Sequence, residues 1–216
     1  MSELWVKILL PATLETLYMS FVATFIALCM GILPAILLTL SDAKGLRPNA
    51  KLYQALDLVV NMLRSFPFLI LMIVLFPLTK FLLGKTIGTS AAIIPLSISA
   101  APFVARILEN ALKEVDRGVV EAAKSFGAGD YQIIFRIMLP EALPSIVSGI
   151  TLTLITVVGF SAMAGAIGGG GLGDVAIKYG CYRFQSDVLF YTVILLVVLV
   201  QVIQSIGDFI YRQIKH

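Results

Sequence analysis

The chain has 216 residues, of which 59% are apolar and 13% charged, against roughly 45 to 50% and about 25% in a soluble domain. Such a composition excludes a soluble enzyme, a DNA-binding domain and a secreted disulfide scaffold, and it points to a membrane protein. The formal net charge of +3 is too small to imply a nucleic acid or another polyanionic partner.

Five stretches contain no Asp, Glu, Lys or Arg: residues 16–41, 65–79, 86–105, 142–173 and 188–207. A helix needs roughly 20 apolar residues to cross a bilayer core. Four of the stretches meet that length, and the second does so if it continues past Lys80 through residues 81–84. The predicted fold is therefore an all-α integral membrane protein of five transmembrane helices, a single domain over residues 1–216.

Before the first span, Leu4, Trp5, Ile8 and Leu9 recur at helical spacing, and Trp5 suits the membrane interface. No basic start marks a cleavable signal. The first span carries Gly31 and Pro34, the second Pro67 and Pro77, the third Pro95 and Pro102, so kinked helices are expected. Asp57 and Arg64 flank the start of the second span. At i, i+7 they are too far apart to pair on one helix, so they read as solvated interfacial groups.

Residues 106–141, between the third and fourth spans, are charged yet still periodic and read as two short helices. Val115, Val119, Ala122, Ala123 and Phe126 form one apolar stripe, Gly127 suits a helix end with positive φ, and Asp130 suits the next N-cap. Tyr131, Ile134 and Met138 continue an apolar face that Pro140 is expected to stop. Such a pair needs something to pack on, either lipid headgroups or a partner protein.

The fourth charge-free run is too long for one straight span, and a helix break is expected among the glycines of residues 165–173. Ser161, Gly165, Gly169 and Gly173 recur at spacing four and read as a small-residue ladder for close helix packing. Met163, long and polarizable among small neighbours, is either a flexible core filler or a side chain that closes a passage across a two-fold axis, with Ser161 beside it.

Of the Lys and Arg residues, 11 lie in residues 42–64, residues 106–141 and the C-terminal tail, and 5 in the alternate set. This asymmetry predicts a cytoplasmic C-terminus and an N-terminus outside. Cys29 and Cys181 differ in depth and read as apolar fillers rather than a bridge or metal site, and His216 as a mobile tail. Gly84-Lys85-Thr86 lacks the upstream glycine and strand of a phosphate loop, and Gly168-x-Gly170-x-x-Gly173 lies in an apolar span rather than after a strand, so neither predicts nucleotide binding.

Glu121-Ala122-Ala123, three residues, Gly127, nine residues, then Ile137-x-Leu139-Pro140 resembles the EAA loop of permease subunits of ABC importers at every fixed position. Arg64-Ser65-Phe66-Pro67-Phe68, and residues 159–167 followed by glycines 168 to 173, look like the methionine-importer permeases within that group. The resemblance implies a type I ABC importer permease fold in a bacterial cytoplasmic (inner) membrane, a second copy of the chain, two cytoplasmic ATPase subunits and an extracytoplasmic methionine-binding protein. It implies no cofactor in this chain, ATP and magnesium belonging to the partner ATPase. Coupling to that ATPase is expected of Glu121, Ala122, Ala123, Gly127, Ile137, Leu139 and Pro140. Small Ala122 and Ala123 permit close approach to a partner groove, and Glu121 is a cap, a partner contact or a solvated helix charge. The rival reading is a secondary transporter or channel for small amino acids, against which stands the lack of Asp, Glu, Lys, Arg and His in the five charge-free stretches to couple proton movement.

Overall fold

The computed structural model describes residues 5–215, and of Trp5 its backbone alone; the expectations for Leu4, the Trp5 side chain and His216 fall outside the described residues. A π-helical turn, Trp5–Leu9, leads into α1 (Leu10–Ser41). Then follow α2 (Ala50–Ser65), α3 (Phe68–Val74), α4 (Phe76–Leu83), α5 (Thr89–Lys113), α6 (Arg117–Ser125), the continuous α7 (Asp130–Gly165), α8 (Gly171–Val175) with a π-helical end, and α9 (Ser186–Ile214). Among the described residues four helices are long and apolar enough to cross a membrane, and the pair α2 and α3, bent by 99°, makes a fifth crossing if taken as one broken span.

α5 is the hub. Ala92, Leu96, Ala100, Val104 and Leu108 are buried, and α1, α2 and α7 all pack on it. Small residues set the distance to α1, whose buried face repeats Ala23, Ala27, Gly31 and Ala35. A Cβ on Gly31 would lie 2.7 Å from Val104 Cγ1 and 2.8 Å from the Ala101 carbonyl oxygen, so only glycine fits there. On the other side Ile107 fills the notch at Gly149, where a Cβ would lie 2.0 Å from its Cγ2. α9 lies at the periphery, packed on α7, with Phe190, Val197, Val202 and Phe209 exposed as a lipid-facing surface requires.

Three expectations need correction. The stretch preceding the second charge-free run, read above only as a flank with solvated Asp57 and Arg64, is helical: α2 occupies it, capped by Asn49, whose side chain accepts from the Leu52 N–H at 3.2 Å. A search for charge-free runs passes it over because it carries Lys51, Asp57 and Arg64, of which Asp57 is paired with Arg106 of α5. Pro140 does not stop α7, because a π-helical turn over Ile134–Met138 shifts the ladder so that the Leu139 N–H reaches the Ile134 carbonyl, and the donor missing at Pro140 falls where the pattern is already displaced. Asp130 is not the cap either. It is the first residue of α7, while the Gly129 N–H donates to Gln132 Oε1 at 3.1 Å.

α7 ends at Gly165, as the length of the fourth run requires. The four-residue ladder is thereby not a stripe on one helix, since the chain turns back through Gly168 and Gly170, both at positive φ. Its glycines instead let α8 lie on the end of α7. A Cβ on Gly165 would sit 2.3 Å from the Asp174 nitrogen, and one on Gly173 would sit 2.2 Å from the Ala162 oxygen. Far along the chain, α1 caps this turn: Glu15 accepts from the Gly171 N–H at 2.8 Å and Thr16 Oγ1 from the Leu172 N–H at 2.9 Å.

Candidate coupling surface and passage

The candidate coupling segment, residues 106–141, is built from local backbone rules. Asp116 caps α6, its Oδ1 accepting from the Gly118 N–H at 2.7 Å. Gly127, at φ +77, closes the helix, with its N–H on the Lys124 carbonyl at 2.9 Å and that of Ala128 on Ala123 at 3.1 Å. No residue of α6 is buried. Glu121, Ala122 and Gly127 are exposed and Ala123 is half-buried. The proposed stripe divides: Val115 is buried against the bundle, whereas Val119 and Phe126 face outward, Phe126 at 92% exposure. In α7, Tyr131 is exposed, Ile134 and Met138 are buried, Ile137 and Leu139 are half-buried and Pro140 is exposed. Val120 and Ala123 turn the inner face of α6 to the core, and the Phe126 ring just past its end is held outward.

Beneath it the segment is tied down. Arg47, in the loop after α1, pairs with Asp130, and a cavity of about 360 Å³ lined by Asp42, Lys44, Arg117, Glu121 and Met138 separates α6 from the bundle.

Sequence reading missed a polar cluster at this end of α5. Glu109 is fully buried and accepts from Tyr53 Oη at 3.1 Å, Arg106 at 2.8 Å and Lys113 Nζ at 2.7 Å. Arg106 also pairs with Asp57, and Lys113 with Asp42 at 2.7 Å. Asp57 is thus not a solvated interfacial group. Its partner lies on a neighbouring helix, beyond any i, i+7 argument. The Lys113 ammonium holds the Asp42 carboxyl below the ordinary carboxylate range. A signal for half of this cluster was present, since Arg106, Glu109 and Lys113 fall at i, i+3 and i+7 on one helix face.

Met163 stands 47% exposed on α7, whereas Ser161 is buried and donates to the Val158 carbonyl at 2.7 Å. The two residues therefore face different surroundings: Met163 looks away from this chain and Ser161 into it. Cys29 and Cys181 are free and exposed.

The sequence model of the family described as binding-protein-dependent transport system inner membrane component matches residues 31–216. The chain belongs to this family. Its coupling segment, α5 and α7 all lie inside the matched stretch, while Glu15 and Thr16, which cap the glycine turn, precede it. Among relatives, the probable D-methionine transport system permease protein MetI of Vibrio cholerae serotype O1 is 52% identical over 209 residues, covering 97% of this chain and 93% of that one. The protein of the same name from Pasteurella multocida is 48% identical over 206 residues, 95% of this chain and 94% of its own. A solved structure of the MetNI methionine ABC transporter in an inward-facing conformation contains a chain that superposes with a TM-score of 0.96 at 43% identity, covering 99% of each. The fold is accordingly that of a type I ABC importer permease.

Proposed function

We propose that the chain is the membrane subunit of an ATP-driven methionine importer, working as a homodimer with two cytoplasmic ATPase subunits and an extracytoplasmic methionine-binding protein. The observation that carries this reading is near-full-length identity of 52% and 48% to proteins named as methionine permeases. The chain performs no catalysis. ATP and magnesium are handled by the ATPase, and this subunit converts the ATPase's movement into alternating access. With the C-terminus and α6 in the cytoplasm and the N-terminus outside, the outward-facing Val119, Glu121, Ala122 and Phe126 supply the plug that seats in a groove of the ATPase. Gly127 sets the reversal behind that plug, and Ile137, Leu139 and Pro140 carry its displacement into α7. At the far end of α7, Met163 meets its twin across the two-fold axis and closes the passage, while Gly165, Gly169 and Gly173 keep α8 against α7. An uncoupled secondary transporter or channel gains no support from any group described above.

The test is uptake of labelled methionine into proteoliposomes holding the permease, its ATPase and, inside or outside, the binding protein. Uptake that requires ATP and the ATPase is the expected result. Equal uptake by the permease alone overturns the reading.

A further inference from the structure

α2 lies antiparallel against α5. Tyr53 meets Glu109, Asp57 meets Arg106, and Arg64 lies over the Phe103 ring, its guanidinium carbon 5.1 Å from the centroid. From Lys113, at the α6 end of the helix, to Phe103 is ten residues, or about 15 Å at the helical rise. The hydrocarbon core is about 30 Å thick. The charge-free stretch of α5 ends at residue 105, however, and Phe103 is three residues, or about 5 Å, from Arg106. Arg64 therefore lies at the edge of the spans, one step inward from the polar cluster, and among the described residues no carboxylate pairs with it, so its donors are open to a ligand carboxylate.

The same guanidinium edges a cavity of about 260 Å³, whose walls include Phe103, Thr153, Thr156 and Phe160. Drug-sized ligands occupy roughly 300 to 1,000 Å³, so this volume suits something smaller. The aromatic wall is held in place, with Phe160 stacked on Phe68 at 4.9 Å and meeting Phe103 edge-on at 6.3 Å. Thr153 and Thr156 each donate to a carbonyl of their own helix at 2.9 Å, which leaves their oxygens able to accept. One cationic donor array, two acceptor oxygens and an aromatic wall within one small cavity complement an amino-acid zwitterion with an apolar side chain.

We infer that this cavity is a resting site for the transported amino acid inside the membrane, Arg64 taking the α-carboxylate, the Thr153 and Thr156 hydroxyls accepting from the ammonium, and Phe103 and Phe160 flanking the side chain. The inference rests on the importer reading above and adds to it a selectivity filter in the permease itself. A thioether suits the aromatic wall, since sulfur contacts ring edges favourably.

The test uses the permease assembled with its ATPase in proteoliposomes, comparing uptake of methionine, methioninamide and a panel of other amino acids. The wild type is expected to favour methionine over methioninamide. In Arg64→Gln, methionine uptake should fall about tenfold or more, the loss typical of a charge-assisted contact, and the preference over the amide should vanish. Arg64→Lys should restore much of both. Thr156→Val, which keeps the shape of the wall, should raise the apparent KM for methionine with less effect on kcat. Wild-type rate and preference in Arg64→Gln overturn the inference. So does failure of Arg64→Gln to assemble as a dimer on gel filtration with Thr156→Val unchanged in KM, because the charge then pairs with the other copy. If the wild type carries another amino acid instead of methionine and that uptake depends on Arg64 in the same way, the methionine reading fails and the site stands.

Discussion

At Glu109 three donors converge on one fully buried carboxylate, from Tyr53, Arg106 and Lys113. A buried charge is tolerated only when paired and hydrogen-bonded, and here removal of the acceptor takes one partner each from Tyr53, Arg106 and Lys113 and opens a gap in the core, while Arg106 keeps Asp57 and Lys113 keeps Asp42. Glu109→Ala is expected to destabilise the purified protein by about 3 kcal/mol, visible as a lower thermal midpoint in detergent. An unchanged midpoint would show that water replaces the carboxylate. Asp42 gives the same cluster a pH dependence. Its folded pKa lies below the ordinary 3.8, so its contribution is fully present above that value and is lost as pH falls through the lower folded pKa. Melting measured at pH 7 and pH 3 should show a smaller acid-induced drop in Asp42→Asn than in the wild type.

At the scale of the element, α6 depends on one backbone angle. Gly127 has φ +77, and a Cβ there would meet nothing within 4 Å, so the cost of replacing it is conformational rather than steric. A β-branched residue in that region costs about 1 to 2 kcal/mol, whereas Asn enters it readily. Gly127→Val is therefore expected to insert normally but lose ATPase association or uncouple hydrolysis from uptake, and Gly127→Asn to retain coupling. Equal coupling in both variants would separate the turn from the coupling role. The opposite case holds at Gly173, where the obstacle is space: the Cβ of Gly173→Ala would lie 2.2 Å from the Ala162 oxygen. That variant should open the α7–α8 contact, detected as faster labelling of cysteines placed along Ala162 and Ala166, while the backbone angle of the site stays permissible.

For the whole molecule, the large exposed side chains sort into two kinds. Those on α9, such as Phe190, Val197 and Phe209, suit contact with lipid tails. Met163 on α7 is the candidate for a contact with a second copy, as proposed above. The chain is expected to be a dimer in native membranes, and crosslinking that gave a single-chain species alone would contradict the assembly. In that dimer Met163→Ala should leave insertion and pairing intact while raising ATP-independent leak of methionine, and Met163→Trp should obstruct passage by bulk. Normal rates without leak in both variants would make Met163 a packing residue.

What was legible in the sequence was local. Four of the five charge-free runs announced the long crossings, because desolvating a charge in lipid is costly at any position along a span, whereas the second is divided between α3 and α4. Gly127 announced the end of α6, since a positive φ is a demand of the immediate backbone. The turn after Gly165 followed from the length of the run together with its glycines. Neighbourhood decided the rest. Asp57, Arg64 and Glu109 looked like interfacial or loop charges until α2 was laid against α5, and Glu15 had no reason to seek Gly171 until α1 passed the glycine turn. Pro140, a stop signal in isolation, was absorbed by a π-helical turn whose Ile134 and Met138 are held by burial against the bundle. Periodicity and propensity act over a turn or two of chain, whereas the partner that makes a charge tolerable inside a membrane lies tens of residues away, and only the packing of helices brings it there.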